Sequence, residues 1–130
     1  MADEFEISTV LTASPHKVFA AWLDSEEHSA FIGAEANIEP RVGGPFSAWG
    51  EYIAGKTLEL EKDRRIVQAW RTVDFPADSP DSRLEILLDK VEGGTRLTLI
   101  HREIPDGMGE EYQQGWIDNY FEPMQRYFSG

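Results

Sequence analysis

The last twenty residues of this chain constrain it most, because they carry an aromatic stripe that no isolated helix could keep in water. From Glu110 to Phe128, Trp116, Tyr120, Met124 and Phe128 recur at every fourth position, flanked by Ile117, Phe121 and Tyr127. Four-residue spacing puts these side chains on one face of a helix. Glu110 and Glu111 stand in its first turn, where the helix dipole favours negative charge. At 1.5 Å per residue the helix spans roughly 28 Å, long enough to cross a small sheet. Pro123 lies inside it without an N–H to donate, which predicts a bend or one loosened turn.

The surface this stripe needs is legible upstream. Arg83 to Val91 and Thr95 to Glu103 flank Glu92-Gly93-Gly94, a hairpin signal, with Leu84, Ile86 and Leu88 on one face of the first arm and Leu97, Leu99 and His101 on one face of the second. Phe5, Ile7, Thr9 and Leu11 alternate with Glu6, Ser8, Val10 and Thr12 as a half-buried strand. Ser14-Pro15 supplies a cap hydroxyl and a proline for a first helix carrying Val18, Phe19 and Trp22. Asp24-Ser25-Glu26 starts a second short helix through Phe31, ending before Gly33. From Ala36 the pattern is of short segments broken by turn residues, over Pro40 to Gly44, Phe46 to Ile53 and Lys56 to Leu60. Ile66 to Val73 is a further strand, and Asp74 to Ser82 a proline-containing loop. Strand, two helices, strands and a long helix give an α+β architecture: a curved antiparallel sheet of about six or seven strands, connected by hairpins, with its helices gathered on one side.

At 130 residues, with no repeat or linker, the chain reads as one domain over residues 1–130. It has no cysteine, so neither disulfides nor thiolate chemistry enter. The acidic start, with Asp3, Glu4 and Glu6, lacks the pattern of a signal peptide, and no apolar run approaches the ~20 residues of a membrane span. The reading is cytoplasmic. Twelve basic against 24 acidic residues leave a net charge of −12, which repels phosphate backbones and anionic lipid; nucleic acid is excluded as a partner.

Several residues together resemble one known family. They are Ser14-Pro15 with Val18-Phe19 and Trp22, Gly43-Gly44 before Phe46, Gly55, Ile66-Val67 with Trp70-Arg71, Ile104-Pro105, and the ending from Gln114-Gly115-Trp116 through Tyr120-Phe121-Glu122 to Phe128. The chain is similar to the activators of heat-shock protein 90 ATPase (AHSA type, C-terminal-domain form), within the START-like or SRPBCC superfamily. The resemblance implies a helix-grip fold, in which a sheet grips a long C-terminal helix, and structural roles for Gly43, Gly44, Trp70, Trp116 and Phe121. It transfers no catalytic residue. It also implies a chaperone as a partner and, from other superfamily members, an apolar ligand.

For the site, the strand faces bearing Ile66, Gln68 and Trp70 and bearing Leu97, Leu99 and His101 are expected to meet the long helix. A small-molecule cleft would then be lined by Trp49, Tyr52, Gln68, Trp70, Leu99, His101, Trp116, Tyr120 and Met124, with tyrosine and tryptophan tips at its edge. Most of the aromatics must be core, since burying each contributes roughly 1.5–3 kcal/mol against a net stability of about 5–15. His101 inside an apolar cleft either bonds to a backbone carbonyl or sits at the cleft mouth, or else it orients a ligand or acts as an acid or base, as a cyclase or dehydratase would require. His16, His28 and His101 show no metal-ligand spacing, and Glu26-Glu27 and Glu110-Glu111 are accounted for by helix starts. With no G-x-S-x-G, P-loop or G-x-G-x-x-G, the reading is a binding domain without cofactor or metal, more a binder than an enzyme, as a monomer or weak dimer. Its first reading is an apolar or aromatic small molecule; a chaperone-interacting stress-response module and a cyclase-like or dehydratase-like enzyme are the alternatives.

Overall fold

The computed structural model describes residues 2–129. Strand β1 (Asp3–Leu11) alternates half-buried and exposed positions as its sequence period requires. Helix α1 (Pro15–Leu23) is capped by Ser14, whose Oγ accepts from the Lys17 N–H at 3.2 Å. Asp24 ends α1 and caps α2 (Ser25–Ile32), accepting from the Glu27 N–H at 2.9 Å. Gly33, left-handed at φ 71°, terminates α2.

Then come β2 (Ala36–Ile38), β3 (Pro45–Ala48), β4 (Ile53–Glu61), β5 (Arg65–Thr72), β6 (Ser82–Val91) and β7 (Gly94–Ile104). All seven strands form one antiparallel sheet in the order β1-β7-β6-β5-β4-β3-β2. The closing helix runs as α3 (Gly109–Trp116), a π-helical turn (Ile117–Phe121) and α4 (Glu122–Ser129). In that turn the Glu122 N–H reaches back five residues to the Ile117 carbonyl. The wide turn immediately precedes Pro123, which cannot donate, so the loosening expected from proline takes the form of a π-turn.

Two segments differ from the sequence reading. Residues 40–44 are a turn, and the strand there is the short β2 before it. The strand expected from Phe46 to Ile53 stops at Ala48, and β4 starts at Ile53 rather than Lys56. The chain reverses at Trp49 and Gly50, both left-handed at φ 57° and 70°. A tryptophan rarely adopts that conformation, so its sequence gives no turn signal; packing of its half-buried ring against the core holds it.

β2 is a sheet edge, and edges invite unwanted pairing. Two serines one turn apart on α2 close it. Ser25 Oγ donates to the Ile38 carbonyl and accepts from the Ile38 N–H, and Ser29 Oγ does the same with Ala36. These hydroxyls stand in for a neighbouring strand and bring α2 alongside the end of the closing helix.

Candidate functional site

Polar groups tie the closing helix to the sheet and to α2 at several points, among them Gly109, Trp116 and Tyr120. At its start, the Gly109 N–H donates to Asp3 Oδ2 from β1 at 2.8 Å, a carboxylate on the positive end of the helix dipole. About two turns later, Trp116 donates its indole N–H to His101 Nδ1 at 3.1 Å. Indole nitrogen only donates, so Nδ1 is unprotonated and the proton of the neutral ring sits on Nε2. Nε2 donates to Ser82 Oγ at 2.8 Å, which in turn donates to the Trp70 carbonyl at 2.7 Å. One turn further, Tyr120 O–H donates to His28 Nε2 at 2.9 Å, while His28 Nδ1–H donates to the Trp22 carbonyl at 2.8 Å.

Both histidines are therefore acceptors for the polar tips of the aromatic stripe. His101 is 0% and His28 4% exposed. Burial lowers His101 to about 3 and His28 to about 4, the latter partly offset by the Trp22 carbonyl, so both rings are neutral at physiological pH. Burial likewise raises the Tyr120 phenol far above its usual range.

Beneath the helix the interior is packed shut. Between Trp22, His28, Gln68, Trp70, Trp116 and Tyr120 only about 10 Å³ remains, room for at most one water. The open space lies beside α3 and the π-turn, where a cleft of about 530 Å³ faces the β3–β4 turn. Trp49, Tyr52, Ile53 and Trp70 form its sheet side; Glu111, Tyr112, Gly115, Trp116, Asp118 and Asn119 are among those on its helix side. Polar bonds fix one end of it. Tyr52 O–H donates to Asp74 at 2.6 Å, Asp74 N–H donates to Thr72 Oγ1 at 3.1 Å, and Thr72 shares a 2.6 Å bond with Tyr112. Partial burial and the Asp74 carboxylate push the Tyr52 phenol up to about 12.

Of the nine residues expected to line a cleft, the structure gathers Trp49, Tyr52, Trp70, Trp116 and Tyr120 around this one. Gln68 lies deeper, 2% exposed, donating to Thr57 Oγ1 at 3.2 Å in the closed interior. Leu99, His101 and Met124 are fully buried core residues away from it. The cavity centre expected under the helix is thus displaced to its flank, because the stripe and the two histidines fill the middle.

The family model described as "Activator of Hsp90 ATPase homolog 1-like protein" matches residues 12–129. The chain belongs to that family. It is 31% identical over 120 residues, 92% of its length, to the human activator of 90 kDa heat shock protein ATPase homolog 1, of which it spans 35%. It covers about a third of the length of each curated relative it matches. Its fold superimposes on an HSP90 activator from Plasmodium falciparum with a TM-score of 0.88 and 27% identity, covering 97% of this chain and 96% of that one. CalU16 from Micromonospora echinospora follows at a TM-score of 0.82 and 26% identity, over 98% of this chain and 77% of the other. The helix-grip architecture read from the sequence is the architecture of this activator-type family.

Within this family member, sequence reasoning missed His28, Tyr112, Gly115 and Asn119. Tyr112 precedes the fourfold stripe, and His28 has no local signal for a partner 92 residues away. Gly115 is the informative omission. A Cβ there would meet only Asn119 Nδ2 at 4.0 Å. Glycine inside a helix costs about 0.5–1 kcal/mol relative to alanine, and no neighbour requires it here. Gly115→Ala should therefore raise the unfolding free energy by about 0.5–1 kcal/mol, read as an increase in the urea midpoint at unchanged slope. Among the described residues, no three metal-ligating side chains converge and no helix is long and apolar enough to cross a membrane.

Proposed function

We propose that the protein is a binding module that takes an apolar or aromatic small molecule in the flank cleft, without covalent chemistry. What supports this reading is the open cleft of about 530 Å³ beside a helical glycine that leaves space rather than making a contact. That volume falls in the range of about 300–1,000 Å³ used by small-molecule sites, and its aromatic walls suit a planar or apolar body. Gly115→Leu would place a side chain into the cleft from a position where a Cβ meets only Asn119 Nδ2, at 4.0 Å. Titrating a panel of soluble aromatic compounds while following the tryptophan indole N–H resonances should show shifts at Trp49, Trp70 and Trp116. Gly115→Leu should abolish those shifts and remain folded. Shifts confined to residues away from the cleft, or binding unaffected by Gly115→Leu, would end the proposal.

A second reading has its own observation. The whole-length match to an HSP90 activator favours a chaperone-interacting module, and a net charge of −12 would steer the protein toward a basic surface. Mixing the protein with purified Hsp90 at low ionic strength should give a complex that weakens with salt and an altered ATPase rate. Absence of both would remove this reading. The cyclase-like or dehydratase-like alternative finds no support in the geometry, since each nitrogen of His101 is already bonded and the ring has no exposure.

A further inference from the structure

Of the six aromatics in the cleft walls, four have their polar tips used elsewhere. Tyr52 donates its hydroxyl to Asp74, Trp116 its N–H to His101, Tyr120 its hydroxyl to His28, and Tyr112 shares its hydroxyl with Thr72. At these four a ligand meets ring surfaces with their donors already engaged, whereas the Trp49 and Trp70 indole N–H groups have no hydrogen-bond partner among the described residues. Among the described residues no lysine, arginine or histidine lines the space, while Glu111 and Asp118 stand on the helix side of it. Neither carboxylate has a cationic partner among the described residues; Asp118 accepts only from the Gln114 amide, at 3.0 Å. An anion would find no positive charge and would face two carboxylates. A cation would find electron-rich ring faces and uncompensated negative charge together.

Resting on the cleft reading above, we propose that the cleft selects organic cations: an aromatic or aliphatic body carrying an amine or quaternary ammonium, with the body against Trp49, Trp70 and Trp116 and the charge toward Glu111 and Asp118. The rings supply area and quadrupole attraction, and the carboxylates supply the sign of the preference. The flank position matters as well, because the cleft opens to water at the rim where the charged end can stay solvated while the body leaves it.

Three probes of one shape separate charge from body: 2-(1-naphthyl)ethylammonium, 2-(1-naphthyl)ethanol and 1-naphthylacetate, each titrated into the full chain by calorimetry and by indole N–H shifts. The ammonium compound should bind roughly tenfold or more tightly than the alcohol, and the acetate more weakly than either. Removing both carboxylates with E111Q and D118N should bring the ammonium compound to within about threefold of the alcohol and leave the alcohol unchanged. A control of equal charge change, D89N with E92Q, sits at the β6–β7 hairpin tip, at the opposite end of β6 from Ser82, which pairs with Trp70. It should leave the ratio intact. If the control lowers the ratio as much as the cleft pair does, the preference is general attraction to an acidic protein and the proposal falls. If ammonium and alcohol bind alike with cleft shifts, the charge preference is overturned while the cleft reading stands. If none of the three shifts the cleft indoles, the cleft reading falls and takes this inference with it.

Discussion

Moving from pH 7.5 to pH 5 should lower the unfolding free energy by about 4 kcal/mol, through two side chains under the closing helix. His28 and His101 have folded values of about 4 and about 3, below the ordinary histidine value of 6.5. The unfolded chain therefore takes up both protons as the pH falls through 6.5, while the folded chain refuses them until the pH nears those lower values. Stability is complete above about 6.5 and is lost progressively below it. Each group contributes about 1.4 kcal/mol per pH unit, so 1.5 units give about 2 kcal/mol each. Against a typical total of about 5–15 kcal/mol this is a large share.

Among the described residues no charged group relieves either ring. His28 is packed by Trp22, Phe31 and Tyr120, and His101 by Phe5, Trp70, Tyr112 and Trp116. Protonation of His101 would also place a donor against the Trp116 N–H, turning a bond into a clash of donors, and protonation of His28 would force the Tyr120 hydroxyl to turn from donor to acceptor. Relief of repulsion among the 24 acidic residues acts in the opposite sense, but mostly nearer the carboxylate range, below pH 5. Urea unfolding at pH 7.5, 6 and 5, followed by tryptophan fluorescence, reads the effect. H28Q and H101Q should each flatten about half of the slope and start from a lower stability at pH 7.5. A midpoint that is flat over this range, or ring resonances in the folded protein that titrate near 6.5, would refute the assignment.

Gly55→Ala should lose about 3 kcal/mol or more, the opposite sign to Gly115→Ala. Gly55 lies in β4 across from Trp70, and a Cβ there would stand 1.8 Å from the Ala69 carbonyl oxygen and 2.9 Å from Phe46 Cε1. The obstructing atom is backbone, so no side-chain rotation makes room. β4 and β5 would have to part at the point where β5 delivers Trp70 to the cleft, and ladder bonds would be lost with them. The urea midpoint of Gly55→Ala beside that of Gly115→Ala measures both. A loss under about 1 kcal/mol for Gly55→Ala would mean the strands do not approach this closely.

Features whose cause lies within a few residues were legible in the chain alone. The alternation from Phe5 to Leu11 made β1, the Ser14, Asp24 and Gly33 caps bounded α1 and α2, and Gly93-Gly94 turned β6 into β7. The stripe from Trp116 to Met124 and the proline at 123 foretold a closing helix with one loosened turn. These follow from backbone periodicity and cap chemistry, which are local. Packing of the folded chain set the bonds between residues far apart: Asp3 with Gly109 across 106 positions, His28 with Tyr120 across 92, and the Trp49 turn held by its ring. Those contacts filled the space under the helix and moved the open cleft to its flank. A lone histidine or glycine carries no periodic signal, so its role depends wholly on which distant surface the fold brings against it.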